Sequence, residues 1–212
     1  ISASRSGPAG TISATTAPST AGAGASPSFC AGPWAICFPA HTATGDMTIR
    51  AATAADAVAI SALVAQAFGQ EAESRLVDRL RATGRLVCEL VAEEEGAVVG
   101  HIAFSPVRIG DDHGEDRWWG LAPLSVAPAR QKRGIGAGLI GAGLDAARLA
   151  GVTLVVVLGE PAYYGRFGFL PAGRLGLRCV YEVPGEYFMA CQPVAGVLPA
   201  GTVHYDAAFD GL

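Results

Sequence analysis

One α/β domain built on a single mixed sheet is the fold class that this sequence predicts, and three features predict it. From Met47 onward, short apolar runs of strand character alternate with stretches of helical period. Residues 118–126 form a strand-like run that feeds a basic loop and then a glycine-rich helix start. Residues 153–158 are β-branched residues and leucine, the composition of a strand buried inside a sheet. With 212 residues the chain has enough length for one good core and too little for two comfortable ones.

The elements follow in order. Residues 48–50 read as a first strand. Thr53-Ala-Ala-Asp56 is a capping-box-like start to a helix carrying Val58, Ile60, Leu63, Val64 and Phe68. A second helix spans about 71–82 with Leu76, Val77 and Leu80 inward, and Thr83-Gly84 ends it. Residues 86–92 and 97–109 are strands joined by a Glu-rich turn ending in Gly96. Residues 111–116 are acidic and read as a loop. The strand 118–126 carries a disruptive Pro123, a loop covers 127–133, and a helix runs over about 134–149 until Gly151. After the strand 153–158, a short helix over 161–167 precedes two strands near 177–183 and 187–192, with a Pro184-Gly185 turn between them.

Residues 1–46 differ in kind. Ala, Ser, Thr, Gly and Pro dominate, Arg5 and Asp46 are the charges, and no period persists. Such a segment buries too little surface to offset its ordering entropy, so it reads as a disordered extension, with the folded domain at 47–212. The net charge of −4 and the lack of a basic arm argue against a nucleic-acid binder. No apolar run approaches the roughly 18 residues of a membrane-spanning helix. Five cysteines with no CxxC pair and no Cys/His metal spacing point to free thiols in a reducing cytoplasm, with no bound metal.

The chemistry concentrates in Leu124-Ser125-Val126 and the residues that follow. A strand, a short basic loop and a glycine-rich helix start bring unpaired N–H groups and the positive end of a helix dipole together, which makes an anion site. Gly134 and Gly136 remove side chains where a phosphate needs close approach to backbone, and Gln131, Lys132 and Arg133 add donors and charge. A glycine in a helix costs about 0.5–1 kcal/mol relative to alanine, so Gly136, Gly138, Gly141 and Gly143 together need close approach to justify them.

Gln131-x-x-Gly134-x-Gly136 matches the acetyl-CoA signature of the GCN5-related N-acetyltransferases, and Tyr164-Gly-Arg-Phe-Gly168-Phe169 matches that family's Tyr-x-x-x-Gly-Phe segment. From Met47 to the C-terminus the chain resembles this family, in particular a bacterial subgroup of small-substrate acetyltransferases. The resemblance implies a mostly antiparallel mixed sheet with a splayed central strand pair and flanking helices. It implies acetyl-CoA as co-substrate, with no metal. Leu124, Ser125 and Val126 would offer backbone groups to the pantetheine arm. Gln131, Lys132, Arg133, Gly134, Ile135, Gly136 and Ala137 would hold the pyrophosphate. Tyr164 would protonate the departing thiolate, with Tyr163 as the packing aromatic beside it. The strand where relatives often carry a catalytic glutamate has no carboxylate here. Glu71, Glu160, His101 and His113 remain as candidate bases, and a free amine needs none.

The acceptor implied is an amine on a small molecule or peptide, and a homodimer is compatible with the resemblance. Two acidic clusters, Asp111, Asp112, Glu115 and Asp116 with Gln70, Glu71 and Glu73, would favour a cationic one. Two rival readings stay in view. Gly136-Ala-Gly138-Leu-Ile-Gly141 satisfies GxGxxG with Glu160 about 20 residues beyond, as in an NAD-binding oxidoreductase, although those glycines already lie inside the helix. The other rival is a non-catalytic acetyl-CoA-binding module.

Overall fold

The structure is a computed structural model and describes residues 41–43 and 47–210. The expectation of disorder for residues 1–46 falls outside these, except that His41–Ala43 (β1) pairs antiparallel with Met47–Ala51 (β2). Then come helices Ala57–Phe68 (α1) and Ala72–Ala82 (α2), and strands Cys88–Glu94 (β3), Ala97–Pro106 (β4), Arg108–Ile109 (β5) and Trp118–Val126 (β6). Helix Ile135–Leu149 (α3), strand Leu154–Leu158 (β7) and the one-turn helix Pro161–Tyr164 (α4) follow. Strands Leu170–Pro171 (β8), Leu177–Cys179 (β9), Phe188–Cys191 (β10) and Gly201–His204 (β11) complete the order.

Eight strands form one sheet in the order β1-β2-β3-β4-β6-β7-β10-β8, antiparallel at every pairing except β6 with β7. Alternation along the strands places the helices on opposite faces. Val91 packs with Ile60 and Val64 of α1 and Val77 of α2, whereas its neighbours Leu90 and Ala92 join Ile135, Leu139 and Ile140 of α3. Ile60, Leu63 and Val64 are the inward stripe of α1, while Val58 is exposed. The strands near 177–183 and 187–192 are not partners of each other. Leu177–Cys179 joins β5 and β11 in a separate three-stranded sheet over the α1/α2 face, where Val107, Ile109, Leu177 and Val203 cover Trp118, Leu154 and Val156.

The glycines of α3 divide by direction. A Cβ on Gly143 would meet Phe104 at 2.5 Å and one on Gly138 would meet Ile49 at 3.0 Å, so both let α3 settle close on the sheet. Gly100 on β4 makes the reciprocal allowance for Ile135 and Leu139. Two of the three glycines that satisfied GxGxxG thus give no sign of a phosphate-binding turn: Gly138 faces the sheet, and a Cβ on Gly141 would have nothing within 4 Å.

The entry to α1 is held by charge. Asp56 accepts from the backbone N–H and the hydroxyl of Thr53 (2.7 and 2.8 Å), and from both terminal nitrogens of Arg50 (2.8 Å each). These bonds, led by that from Arg50, hold the Asp56 carboxyl far below the usual carboxylate range against the cost of burial. A group whose folded pKa is depressed contributes its stability above the unfolded value, near 3.9, and loses it as pH falls through the folded one. Asp56→Asn is expected to cost roughly 1–3 kcal/mol at pH 7, with a gap to wild type that narrows below pH 4. Paired urea melts at pH 7 and pH 3.5 check this, and a gap independent of pH would refute it.

Candidate active site

β6 pairs with β4 from Pro106↔Trp119 to Gly100↔Val126, with a shift of register between Ile102 and Phe104. With β7 it pairs only at Trp118, Trp119 and Gly120, opposite Leu154, Val155 and Val156. Beyond Gly120 the two strands part, and β7 keeps only its other neighbour, β10, through Leu158↔Phe188. The gap leaves the edge of β6 over residues 121–125 without a strand partner on the β7 side, open to a ligand that runs like a strand.

At the far end of β6 the chain makes an anion cradle. The Ala127 N–H bonds to the Val99 carbonyl (2.9 Å), and Gln131 Nε2 donates to the Val126 carbonyl (3.2 Å), so the loop is strapped to the splayed strand. Lys132 (φ 62°) and Gly134 (φ 86°) are left-handed, and Gly134 begins α3 without a side-chain cap. Gly138 makes the first intrahelical bond, to the Gly134 carbonyl (2.9 Å). The N–H groups of Ile135, Gly136 and Ala137 therefore have no partner in the helix. Glu94, at the end of β3, ties back Arg130 and Arg133. Lys132 has no ion-pair partner among the described residues. Arg166 stacks its guanidinium over Tyr163 (4.6 Å) and Phe167 (5.5 Å).

These groups surround a cavity of about 550 Å³. Of the residues expected to hold a cofactor, Leu124, Val126, Gln131, Lys132, Gly134, Ile135, Gly136 and Ala137 line it. Ser125 and Arg133 do not. Ser125 alternates to the other face, 2% exposed, opposite His101. Its hydroxyl has no partner among the described residues. Arg133 turns to Glu94 (3.0 Å).

Tyr163 and Tyr164 differ in their exposure to this cavity. Tyr163, read as the packing residue, lines the cavity, and its hydroxyl lies 2.6 Å from where a Gly136 Cβ would sit. Tyr164 is buried beneath it, with its ring over Gly159 and edge-on to Phe169 at 5.7 Å. A Cβ at Gly159 would lie 2.2 Å from that ring, so the residue after β7 must be glycine for Tyr164 to sit at the strand's end. Burial, with a smaller push from Tyr163, raises the Tyr164 phenol to about 12.

None of the four candidate bases lines this cavity. Glu71 is exposed and bridged to Arg75 (3.0 Å). Glu160 is exposed at the start of α4, where its carbonyl accepts from Tyr163 and Tyr164 N–H (2.9 and 3.0 Å). His113 is exposed. His101 is fully buried, with Nε2 3.0 Å from Glu89, which Arg81 also contacts at 2.6 Å. Burial works against the Glu89 carboxylate, but the bonds from His101 and Arg81 prevail and lower its pKa. Asp111 and Asp112 are exposed beside β5, as are Gln70 and Glu71 between α1 and α2, while Glu73 is half-buried in the first turn of α2. The Glu115 side chain is outside the described residues.

A second cavity, of about 510 Å³, is bounded by Leu121 and Ala122 of the same splayed strand and by Leu158, with C-terminal aromatic residues closing it. A groove of about 400 Å³ along the outer face of α2 lies apart from the split.

Comparison with known proteins assigns this architecture. Residues 48–172 match the family model of the acetyltransferase (GNAT) domain. The uncharacterized N-acetyltransferase YhbS of Escherichia coli is 44% identical over 135 residues, which is 63% of this chain and 79% of that protein. YjhQ, another uncharacterized N-acetyltransferase of that organism, is 38% identical over 135 residues, 62% of this chain and 75% of its own. The crystal structure of E. coli YhbS in complex with CoA superposes with a TM-score of 0.74 at 36% identity, covering 80% of this chain and 96% of that one. A GNAT family acetyltransferase from Brucella melitensis in complex with acetyl-CoA gives a TM-score of 0.66 at 42% identity, over 77% and 98% of the two chains.

Proposed function

This chain belongs to the GNAT acetyltransferase family, and we propose that it transfers the acetyl group of acetyl-CoA directly to the primary amine of a small molecule. The observation that carries the donor assignment is the uncapped N-terminus of α3 at the mouth of the β6–β7 split, where N–H groups of residues 135–137 converge beside Lys132 and Arg166. Two relatives of 36% and 42% identity bind CoA and acetyl-CoA, respectively, in their structures. The fit extends to shape. Gly136 keeps the helix start open where a side chain would meet Tyr163.

In this reading the loop from Gln131 to Ala137 holds the pyrophosphate, and the backbone of Leu124, Ser125 and Val126 bonds to the pantetheine amides. The Ser125 side chain takes no part. The amine attacks the thioester carbonyl carbon as its neutral base, a C–N bond forms and the C–S bond breaks. The ammonium proton passes to water, and the departing thiolate takes a proton from Tyr164, which water restores. A cytoplasmic setting accords with Cys179 and Cys191, which stand as thiols.

Calorimetric titration with acetyl-CoA and with NAD, followed by thiol release over a panel of amines, tests the reading. Heat with acetyl-CoA and none with NAD is expected, and the reverse would overturn it. Lys132→Ala should weaken acetyl-CoA binding about fivefold at low salt, near 1 kcal/mol for an exposed charge, with a smaller loss at high salt. A loss of equal size at 0.5 M NaCl would remove Lys132 from the electrostatic account.

A further inference from the structure

The cavity on the α1/α2 face of the split carries information about the acceptor. Leu121 and Ala122 are the first residues of β6 beyond its last pairing with β7, and Leu158 is the last residue of β7, so the cavity opens where the strands part. Gly120, the final paired residue, lies against the ring of Tyr205, and a Cβ there would be 2.9 Å from Cε1. Ala122, Tyr205 and Phe209 pack with Leu76 and Leu80 of α2, whereas the donor cavity is bounded by Ile135 and the start of α3. The two cavities thus share the unpaired half of β6 and lie on opposite faces of the sheet.

The walls of this second cavity are flat and apolar. Tyr181 stacks on Tyr205 with centroids 5.7 Å apart and planes inclined by 27°, and Tyr205 meets Phe209 at 5.1 Å. Tyr181 and Leu158 remain 37% and 38% exposed, so apolar surface is left uncovered at the rim. One carboxylate, that of Asp210, joins the lining. Burial and then the nearness of Asp210 both raise the Tyr181 phenol, which agrees with a single negative charge beside the ring.

We propose that this cavity is the acceptor site and that it takes a primary amine carried on an aromatic body, an arylalkylamine. This rests on the acetyl-CoA reading given above. The ring lies against Tyr181, Tyr205 and Phe209, where aromatic pairs add to simple area burial. The ammonium is drawn by Asp210 and by the aromatic faces before it loses its proton and attacks. An acceptor bearing its own carboxylate would be opposed by Asp210. The acidic clusters at residues 111–116 and 70–73 take no part in this choice.

The test is steady-state thiol release from acetyl-CoA with phenylethylamine, tryptamine, ethanolamine, putrescine and phenylalanine as acceptors, with calorimetry of acetyl-CoA in parallel. Phenylethylamine or tryptamine should exceed ethanolamine and putrescine in kcat/KM by at least about tenfold, and phenylalanine should fall below phenylethylamine. Tyr181→Ala and Asp210→Asn, both exposed positions, should each raise the arylalkylamine KM about tenfold and leave the acetyl-CoA Kd unchanged. If acetyl-CoA binds while polar amines react equally well, while no amine reacts, or while both variants keep the wild-type KM, this proposal falls and the donor reading stands. If acetyl-CoA fails to bind, both fall.

Discussion

Gly136→Glu is expected to abolish acetyl-CoA binding, with an affinity loss of more than about a hundredfold, and to leave the fold intact. The effect has two parts. A carboxylate would stand at the start of α3, where the free N–H groups of residues 135–137 would otherwise receive a phosphate, and it would repel that phosphate. Its carbon chain would also claim the space now held by the Tyr163 hydroxyl, 2.6 Å from the added Cβ. Two controls separate these parts. Gly136→Ala brings the same Cβ without charge, and Gly136 is not among the left-handed glycines, so the backbone accepts alanine. Helix propensity should then add up to about 1 kcal/mol of stability, while binding weakens only as far as Tyr163 must shift. Gly141→Ala is the second control. Nothing lies within 4 Å of that Cβ, so stability should rise and acetyl-CoA binding should not change. Calorimetry and thermal melts read all three variants. Retained binding in Gly136→Glu would place the pyrophosphate elsewhere.

These glycines show what sequence could and could not convey. Four of them in one helix were legible as a demand for close approach, but not as demands in different directions. Gly136 opens toward the cavity, Gly138 and Gly143 fit the helix to the sheet, and Gly141 meets nothing. The bounds of β6 coincide with its apolar run, and the inward stripe of α2 follows its period, because both signals are local. The splay of β6 from β7 is a matter of pairing between distant segments and was implied only by resemblance. The strands β5, β9 and β11 have two to four residues, too few for any period to register, and so the second sheet went unseen. That Tyr163 lines the cavity while Tyr164 packs beneath it was not legible for a similar reason. Neighbours on one helical turn point about 100° apart, and a lone turn carries no stripe that says which direction is inward. No motif marks Tyr205, Phe209 or Asp210. Their place beside the split comes from the packing of the C-terminal segment on α2.

Tyr164→Phe is expected to lower kcat by about 10²–10⁴-fold, the usual span of general-acid catalysis, with acetyl-CoA affinity close to wild type. The variant keeps the ring over Gly159 and the edge contact with Phe169 at 5.7 Å, so it removes a proton donor and little else. Tyr164→Ala would open a cavity in a buried aromatic cluster, at roughly 3–5 kcal/mol, and would confuse turnover with folding. The raised pKa sharpens the test. A phenol held near 12 stays protonated through neutral and mildly alkaline pH, so wild-type kcat should show no decline from loss of this proton below about pH 10. In the phenylalanine variant the remaining donor is water, and the residual rate should then depend on the leaving thiol more steeply than in wild type. Tyr163→Phe supplies the contrast. Its hydroxyl lies beside the helix start, so its loss should alter acetyl-CoA affinity and spare kcat. Turnover of Tyr164→Phe within a few-fold of wild type at saturating substrates would rule out the acid and leave Tyr164 as the ring that packs α4 onto the end of β7.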